Sequence, residues 1–224
     1  PCFLVGSGAA REIAAAAGIP CRLFTHQQGH VAAALYASGR WQLFGTPALV
    51  FHISGGTTDL LLCNGVTVQQ TLGTSLDLYA GQAVDRIGVK LGFPFPAGGH
   101  LSRLAAECPQ QPRVKAVLKG MNCHLSGLEN QCSALLDKGY PPAYVAKYCL
   151  CTVGETVFRM VEAAYAAGFR LPVVCAGGVM SSQIVRDYVT ARLRDVCFVP
   201  GQFASDNAIG VAIIAAKEVG AWPM

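Results

Sequence analysis

Strand-like and helix-like segments alternate along most of this chain, and paired glycines sit where one gives way to the next, so few architectures can bury all of them. Two apolar, β-rich runs, 48–54 and 57–63, meet at Gly55-Gly56, which is a hairpin signal. A strand over 66–72 precedes a helix over about 76–91, in which Val84, Ile87 and Leu91 recur at helical spacing until the Pro/Gly stretch 93–99 stops it. Helices near 101–107, 127–137 and 142–167 follow, then a strand over 171–175, a helix over 182–193, a strand over 197–200 and a last helix over 207–219. Upstream, the pattern reads as helix 9–17, strand 21–24 and helix 26–38, closed by Gly39. The loop 40–47 is the expected domain boundary, with 1–45 on one side and 46–224 on the other. Such alternation favours an α/β sheet.

With 224 residues, 52% of them hydrophobic, and a mean hydropathy of +0.39, the chain can bury one sizeable core or two small ones. Charged residues make up only 13%, against ~25% in ordinary soluble domains, which suggests a surface partly covered by something else. The net charge of +4 is mild, and no Lys/Arg run of the nucleic-acid-binding kind occurs, so charge alone does not argue for RNA. Ten cysteines form no CxxC pair and lie in apolar patterns such as Leu62-Cys63 and Val174-Cys175, as expected of reduced core cysteines in a cytosolic protein. No apolar run approaches the ~18 residues of a membrane span, and no basic-then-apolar leader opens the chain, so neither membrane nor secretion is expected. The chain starts at Pro1 and enters a glycine-rich stretch, Gly6-Ser7-Gly8, that reads as a strand-to-helix turn; it resembles a protein lacking its front.

The sharpest local feature is Thr25-His26-Gln27-Gln28-Gly29-His30, whose two histidines four apart project from one helix face. Thr25 and Gln28 form a capping box, which puts His26 in the first turn. Such a pair holds a divalent metal or is simply a pair of surface histidines. A metallopeptidase needs a glutamate after the first histidine as general base, and Gln27 stands there instead. Gly55-Gly56, between Ser54 and Thr57-Thr58, either brings bare backbone N–H groups to phosphate oxygens or is an ordinary type I′ turn. Cys175-Ala176-Gly177-Gly178-Val179 ends a strand just before a helix near Ser182, which makes either an anion site or a tight packing turn. Asp206, before the apolar helix, is a third metal ligand or an N-terminal cap; Asp85 is a solvated helical acid or an acceptor for a ligand hydroxyl.

These signals occur in one order: HxxxH, SGG in a hairpin, GxxxD in a helix, a Pro-Gly turn, SGL, AGGV, and S-D-N before an apolar helix. In that order the chain resembles the TsaD family of tRNA threonylcarbamoyladenosine synthases, formerly called glycoproteases, from Gly6 to about Ala215. The resemblance implies an actin/Hsp70-like ATPase (ASKHA) fold, with 1–45 as the end of the first lobe and 46–224 as the second. It implies that His26, His30 and Asp206 bind one divalent metal, iron or zinc, and that His52, Ile53, Ser54, Gly55 and Gly56 line the site for ATP or threonylcarbamoyl-adenylate. By the same likeness Asp85 contacts the ribose and Gly98 lies beside the adenosine, while Gly177, Gly178 and Ser182 complete the binding set. The implied activity is transfer of threonylcarbamoyl from its adenylate to adenosine in the anticodon loop of tRNA, in the cytoplasm, alongside other subunits of a tRNA-modifying complex. Departures from the family pattern point to an alternative, a catalytically weakened paralogue that serves as a nucleotide- or metal-binding assembly subunit. Thr57 and Thr58 replace a histidine and a threonine, Leu78 an aspartate, Gln82 a glutamate, Glu129 a lysine and Ser182 an asparagine, and the family's N-terminal phosphate-binding strand pair is missing. Metallopeptidase remains a third reading.

Overall fold

The structure, a computed structural model, describes residues 2–203 and 208–221, the side chains of residues 2–4, 26 and 202 excepted. The chain opens with α1 (Cys2–Ala17) and α2 (His26–Ala37), followed by the meander β1 (Pro47–Ile53), β2 (Thr58–Asn64) and β3 (Thr67–Thr74). Then come α3 (Ala80–Lys90), α4 (Gly98–Ala106), the small hairpin β4 (Val117–Lys119) and β5 (Asn122–His124), α5 (Gly127–Asp137) and the long α6 (Pro142–Ala166). The last elements are β6 (Val173–Ala176), α7 (Gln183–Thr190), β7 (Val196–Phe198) and α8 (Ile209–Glu218).

The main sheet has the order β3-β2-β1-β6-β7; its first three strands are antiparallel, while β6 runs parallel to β1 and β7 parallel to β6. Alternation along β1 explains why helices cover both faces. Leu49, Phe51 and Ile53 join Leu60 in a core roofed by α3, α4, α5, α6 and α7, with Ile87, Leu101, Leu128, Met160 and Val189 at its contacts. Ala48 and Val50 face the other way with Leu61 and Val174, under Val31, Ala34 and Leu35 of α2. Helix α8 lies across α2 so closely that a Cβ on Gly210 would strike the backbone oxygen of Gly29.

Several expectations are corrected. Gly6-Ser7-Gly8 is not a turn but part of α1, since each glycine costs a helix only ~1 kcal/mol and the alanine-rich stretch after it propagates helix. Residues 21–24 form no strand: they join neither sheet, and Leu23 is exposed, so the run buries no apolar face. The β1–β2 connection is not type I′, for neither Gly55 nor Gly56 has positive φ; the loop spans Ser54 to Thr57 and is closed by the Ser54 N–H donating to the Thr57 carbonyl (3.0 Å). The hairpin of β4 and β5, three residues each about Gly120, is too short to show a period of two. Cys63, Cys123, Cys149, Cys151 and Cys175 are buried thiols, and burial raises Cys63 to about 12 and Cys151 to about 11, but Cys21 is exposed rather than in the core. Val5 and Ile13 of α1 are 74% and 68% exposed. Among the described residues no helix is long and apolar enough to cross a membrane.

Candidate functional site

The β1–β2 loop and the start of α3 are locked together. The Ala80 N–H donates to Thr58 Oγ1 (2.8 Å) and the Gly81 N–H to the Ser54 carbonyl (3.2 Å), so two of the four N–H groups left over at a helix N-terminus are capped by the hairpin. Gly81 is required there, because a Cβ would run into the backbone of Ser54 and Gly55. One turn further along α3, Asp85 accepts the Ala97 N–H (2.8 Å) and fastens the loop that leads into α4.

These contacts form one wall of a cleft of about 540 Å³. Ser54 and Gly55 come from the hairpin loop, Asp85 from α3, Gly98, Ser102 and Arg103 from α4, and Gly178 and Ser182 from the turn after β6. Ser182 is buried, and its hydroxyl meets that of Ser102 at 2.9 Å, joining the start of α7 to α4 across the cleft floor. Six of the residues singled out from the sequence thus share one cleft. Ile53, Gly56 and Gly177 are not on its wall: Ile53 is buried in the core, and Gly177 (φ +100°) is pressed against the Ile53 carbonyl, where no side chain fits. His52 points to the α2 side of the sheet, where its ring lies 4.9 Å from that of His30, and its Nδ1 meets Thr57 Oγ1 at 3.2 Å. The HISGG segment therefore serves both faces, with Ser54 toward the cleft and His52 toward α2.

The capping box on α2 is present, with Gln28 N–H donating to Thr25 Oγ1 (3.2 Å) and Thr25 N–H to Gln28 Oε1 (2.8 Å). It fixes His26 and His30 one turn apart. The His26 side chain and all of Asp206 lie outside the described residues, among which no group of three or more His, Cys, Asp or Glu side chains is arranged to hold a metal.

Sequence reasoning passed over Ser102 and Arg103, although each stands four residues after a glycine of the Gly98-Gly99 pair and so shares its helix face. It also passed over Asp77, which gathers the N–H groups of Leu78 (2.6 Å), Leu125 (2.8 Å) and Ser126 (3.2 Å) and the Ser126 hydroxyl (2.6 Å), tying the end of β3 to the start of α5. Burial pushes the Asp77 carboxyl up, but those hydrogen bonds from Ser126, Leu125 and Leu78 outweigh it and hold the group well below the usual carboxylate range. No spacing rule marks such a residue, since its partners lie 48 and 49 positions away.

Among solved structures, the chain is similar to full-length HypF in its phosphate- and nucleotide-bound form (TM-score 0.69, 15% identity, 92% of this chain and 44% of that one). It is also similar to component A of the (R)-2-hydroxyglutaryl-CoA dehydratase of Acidaminococcus fermentans (TM-score 0.61, 18% identity, 91% and 72% of the two chains). Both likenesses concern the fold, which is the actin-like ATPase fold expected from the motif order. In sequence, the chain is 34% identical to the tRNA N6-adenosine threonylcarbamoyltransferase of Anaeromyxobacter dehalogenans over 94% of its own length, and spans 66% of that relative. The enzyme of the same name from Thermus thermophilus is 30% identical over 95% of this chain and 65% of its own, and that of Bordetella petrii 31% over 98% and 67%. The family model for TsaD, tRNA N6-adenosine threonylcarbamoyltransferase, matches residues 1–213, and the chain belongs to that family.

Proposed function

We propose that the protein built on this chain transfers threonylcarbamoyl from threonylcarbamoyl-adenylate to N6 of an adenosine in the anticodon loop of tRNA. The observation that carries this reading is the convergence of Ser54, Gly55, Asp85, Gly98, Gly178 and Ser182, from four separate segments, on one cleft in a chain of this family. In the reaction a bond forms from N6 to the carbamoyl carbon as the bond from that carbon to the phosphate oxygen breaks, releasing AMP while N6 loses a proton.

The residues divide that work. Ser54 and the bare backbone at Gly55 suit the phosphate end of the adenylate, with His52, through Thr57, bracing their loop. Asp85 offers its carboxylate to the ribose, and Gly98 leaves room for the purine beside α4. Gly178 and Ser182 close the opposite side, and Gly177 holds that turn against β1. The family resemblance assigns a divalent metal, iron or zinc, to His26, His30 and Asp206; in support, the cap starts α2 at His26 and so spaces His26 and His30 one helical turn apart. Such an ion would hold and polarise the carbamoyl-phosphate end of the adenylate. The apolar exposure of Val5 and Ile13 on α1 suits cover by another subunit of a tRNA-modifying complex, and the buried thiols suit the cytoplasm.

A weakened paralogue that only binds nucleotide is the second reading, favoured by Glu129, which stands where the family pattern has a lysine and whose carboxylate meets Arg86 at 3.5 Å in the groove beside the cleft. A transfer assay with purified adenylate and unmodified tRNA, run on the full-length protein, separates the two. Transfer is expected, and Gly55→Val should remove adenylate binding, because a Cβ there meets nothing in the fold and projects into open space. Adenylate binding without transfer, restored by the Glu129→Lys, Ser182→Asn double variant, would establish the second reading instead.

A further inference from the structure

A second groove, of about 760 Å³, opens beside the cleft and shares Gly55 and Asp85 with it. Its sides carry Arg86 and Lys90, one turn apart on α3, and its rim carries Phe95, 75% exposed, in the loop that fastens to Asp85. Phe95 is the most exposed large hydrophobic side chain among the described residues, and its loop is held at both ends, by the Phe93 N–H on the Gly88 carbonyl (3.1 Å) and the Ala97 N–H on Asp85, so its position is set by the fold. We propose that this groove seats the acceptor RNA, with Phe95 as the platform on which an unpaired base stacks and Arg86 and Lys90 as contacts to its phosphates. The assignment rests on the transfer reading and says where the second substrate lies.

Three considerations converge on it. Transfer requires the attacking nitrogen to come within ~3–3.5 Å of the reacting carbon, so the acceptor's seat must be continuous with the donor's. The groove of Gln111, Lys147 and Arg192 between α6 and α7 shares no lining residue with the cleft, and the one between His30 and His52 has only about 10 Å³. An exposed aromatic flanked by cations is the chemistry by which single-stranded nucleic acid is held, stacking for the base and point charge for the backbone. Two carboxylates also lie on the groove wall: Asp85, which accepts the Ala97 N–H at the edge shared with the cleft, and Glu129, whose long contact to Arg86 (3.5 Å, both groups accessible) is weak enough for a phosphate to displace. Glu129 therefore acts as a brake on RNA affinity rather than as a block.

The test uses the full-length protein, an unmodified anticodon stem-loop RNA followed by fluorescence anisotropy, and a separate adenylate titration without RNA. Phe95→Leu should weaken RNA binding about tenfold while Phe95→Trp keeps it, since stacking rather than apolar bulk is at issue. Lys90→Ala should lower the salt slope of RNA binding by about one, Glu129→Gln should tighten RNA severalfold, and the adenylate titration should stay within twofold in all four. RNA binding by Phe95→Leu and Lys90→Ala equal to that of the unaltered protein, with transfer intact, would overturn the groove and leave the transfer reading standing. Adenylate affinity falling in step with RNA affinity would overturn it too, by showing that Phe95 shapes the cleft. Failure of the unaltered protein to bind the RNA would overturn both.

Discussion

Thr58 sets the geometry of a cleft it does not touch. Its buried hydroxyl accepts the Ala80 N–H (2.8 Å) and donates to the Thr57 carbonyl (2.9 Å), so one side chain seats the helix that carries Gly81 and Asp85. Thr58→Val keeps the shape and deletes the acceptor, leaving a buried N–H unpaired, and should cost about 1–3 kcal/mol. Urea denaturation checks the figure, and Thr58→Ser should recover most of the loss; equal stability of all three proteins would mean that α3 is seated by packing alone. Asp77 does the same for the β3-to-α5 junction, through charge. Its folded pKa is depressed, so its contribution is fully present above ~4, the unfolded carboxylate value, and is lost progressively as pH falls from there toward the folded value. Asp77→Asn turns one accepting oxygen into an amide donor facing the Ser126 hydroxyl, and should cost about 2–4 kcal/mol at pH 7. Measured from pH 7 down to 3, the variant's stability should converge on that of the unaltered protein; curves that stay parallel would show that the carboxylate's charge is not what holds the junction.

Among the elements, the pair α2 and α8 is where a single methyl group should tell most. Gly210 rests on the carbonyl of Gly29, and a Cβ cannot be added without driving the helices apart. Gly210→Ala should therefore loosen α8 more than the ~1 kcal/mol a glycine-to-alanine change ordinarily gains in a helix, and native-state hydrogen exchange should show faster exchange in α8 with α6 unchanged. Slower exchange throughout would mean that the two helices slide freely. Helix α2 could be read from sequence because its signal is local: the Thr25–Gln28 box needs only four residues. α5 was legible for the same reason, with 127–137 expected and Gly127–Asp137 found. α3 was expected from 76 but starts at Ala80, because Asp77 holds the residues before it to a segment nearly fifty positions away, which periodicity does not register. The cleft was legible through the order of its motifs, since Ser54, Asp85, Gly98, Gly178 and Ser182 each follow a recognisable local pattern. The groove beside it was not: Phe95 and Arg86 acquire meaning only from being exposed on the same wall.

At the scale of the whole molecule, the cleft draws its walls from the hairpin loop, α3, α4 and the turn after β6, positions from 54 to 183 in the chain, so a ligand seated in it bridges segments that only the folded state brings together. Unfolding destroys the site outright, and a nucleotide bound there must then stabilise the fold by mass action. At a ligand concentration of about 100 times Kd the gain is about 2.7 kcal/mol, and in a chain of this size each kcal/mol moves the midpoint by about 2–4 °C, for a rise of about 5–10 °C. ATP and threonylcarbamoyl-adenylate are both expected to raise the unfolding temperature on the proposed reading, the adenylate at lower concentration because it also fills the acyl end. Gly55→Val should start from a nearly unchanged midpoint, as its Cβ has open space around it, and should show no rise with either ligand. A shift that survives this substitution would place the nucleotide somewhere other than between the hairpin and α3, and a variant that melts much earlier without ligand would show that the loop needs Gly55 for its own folding.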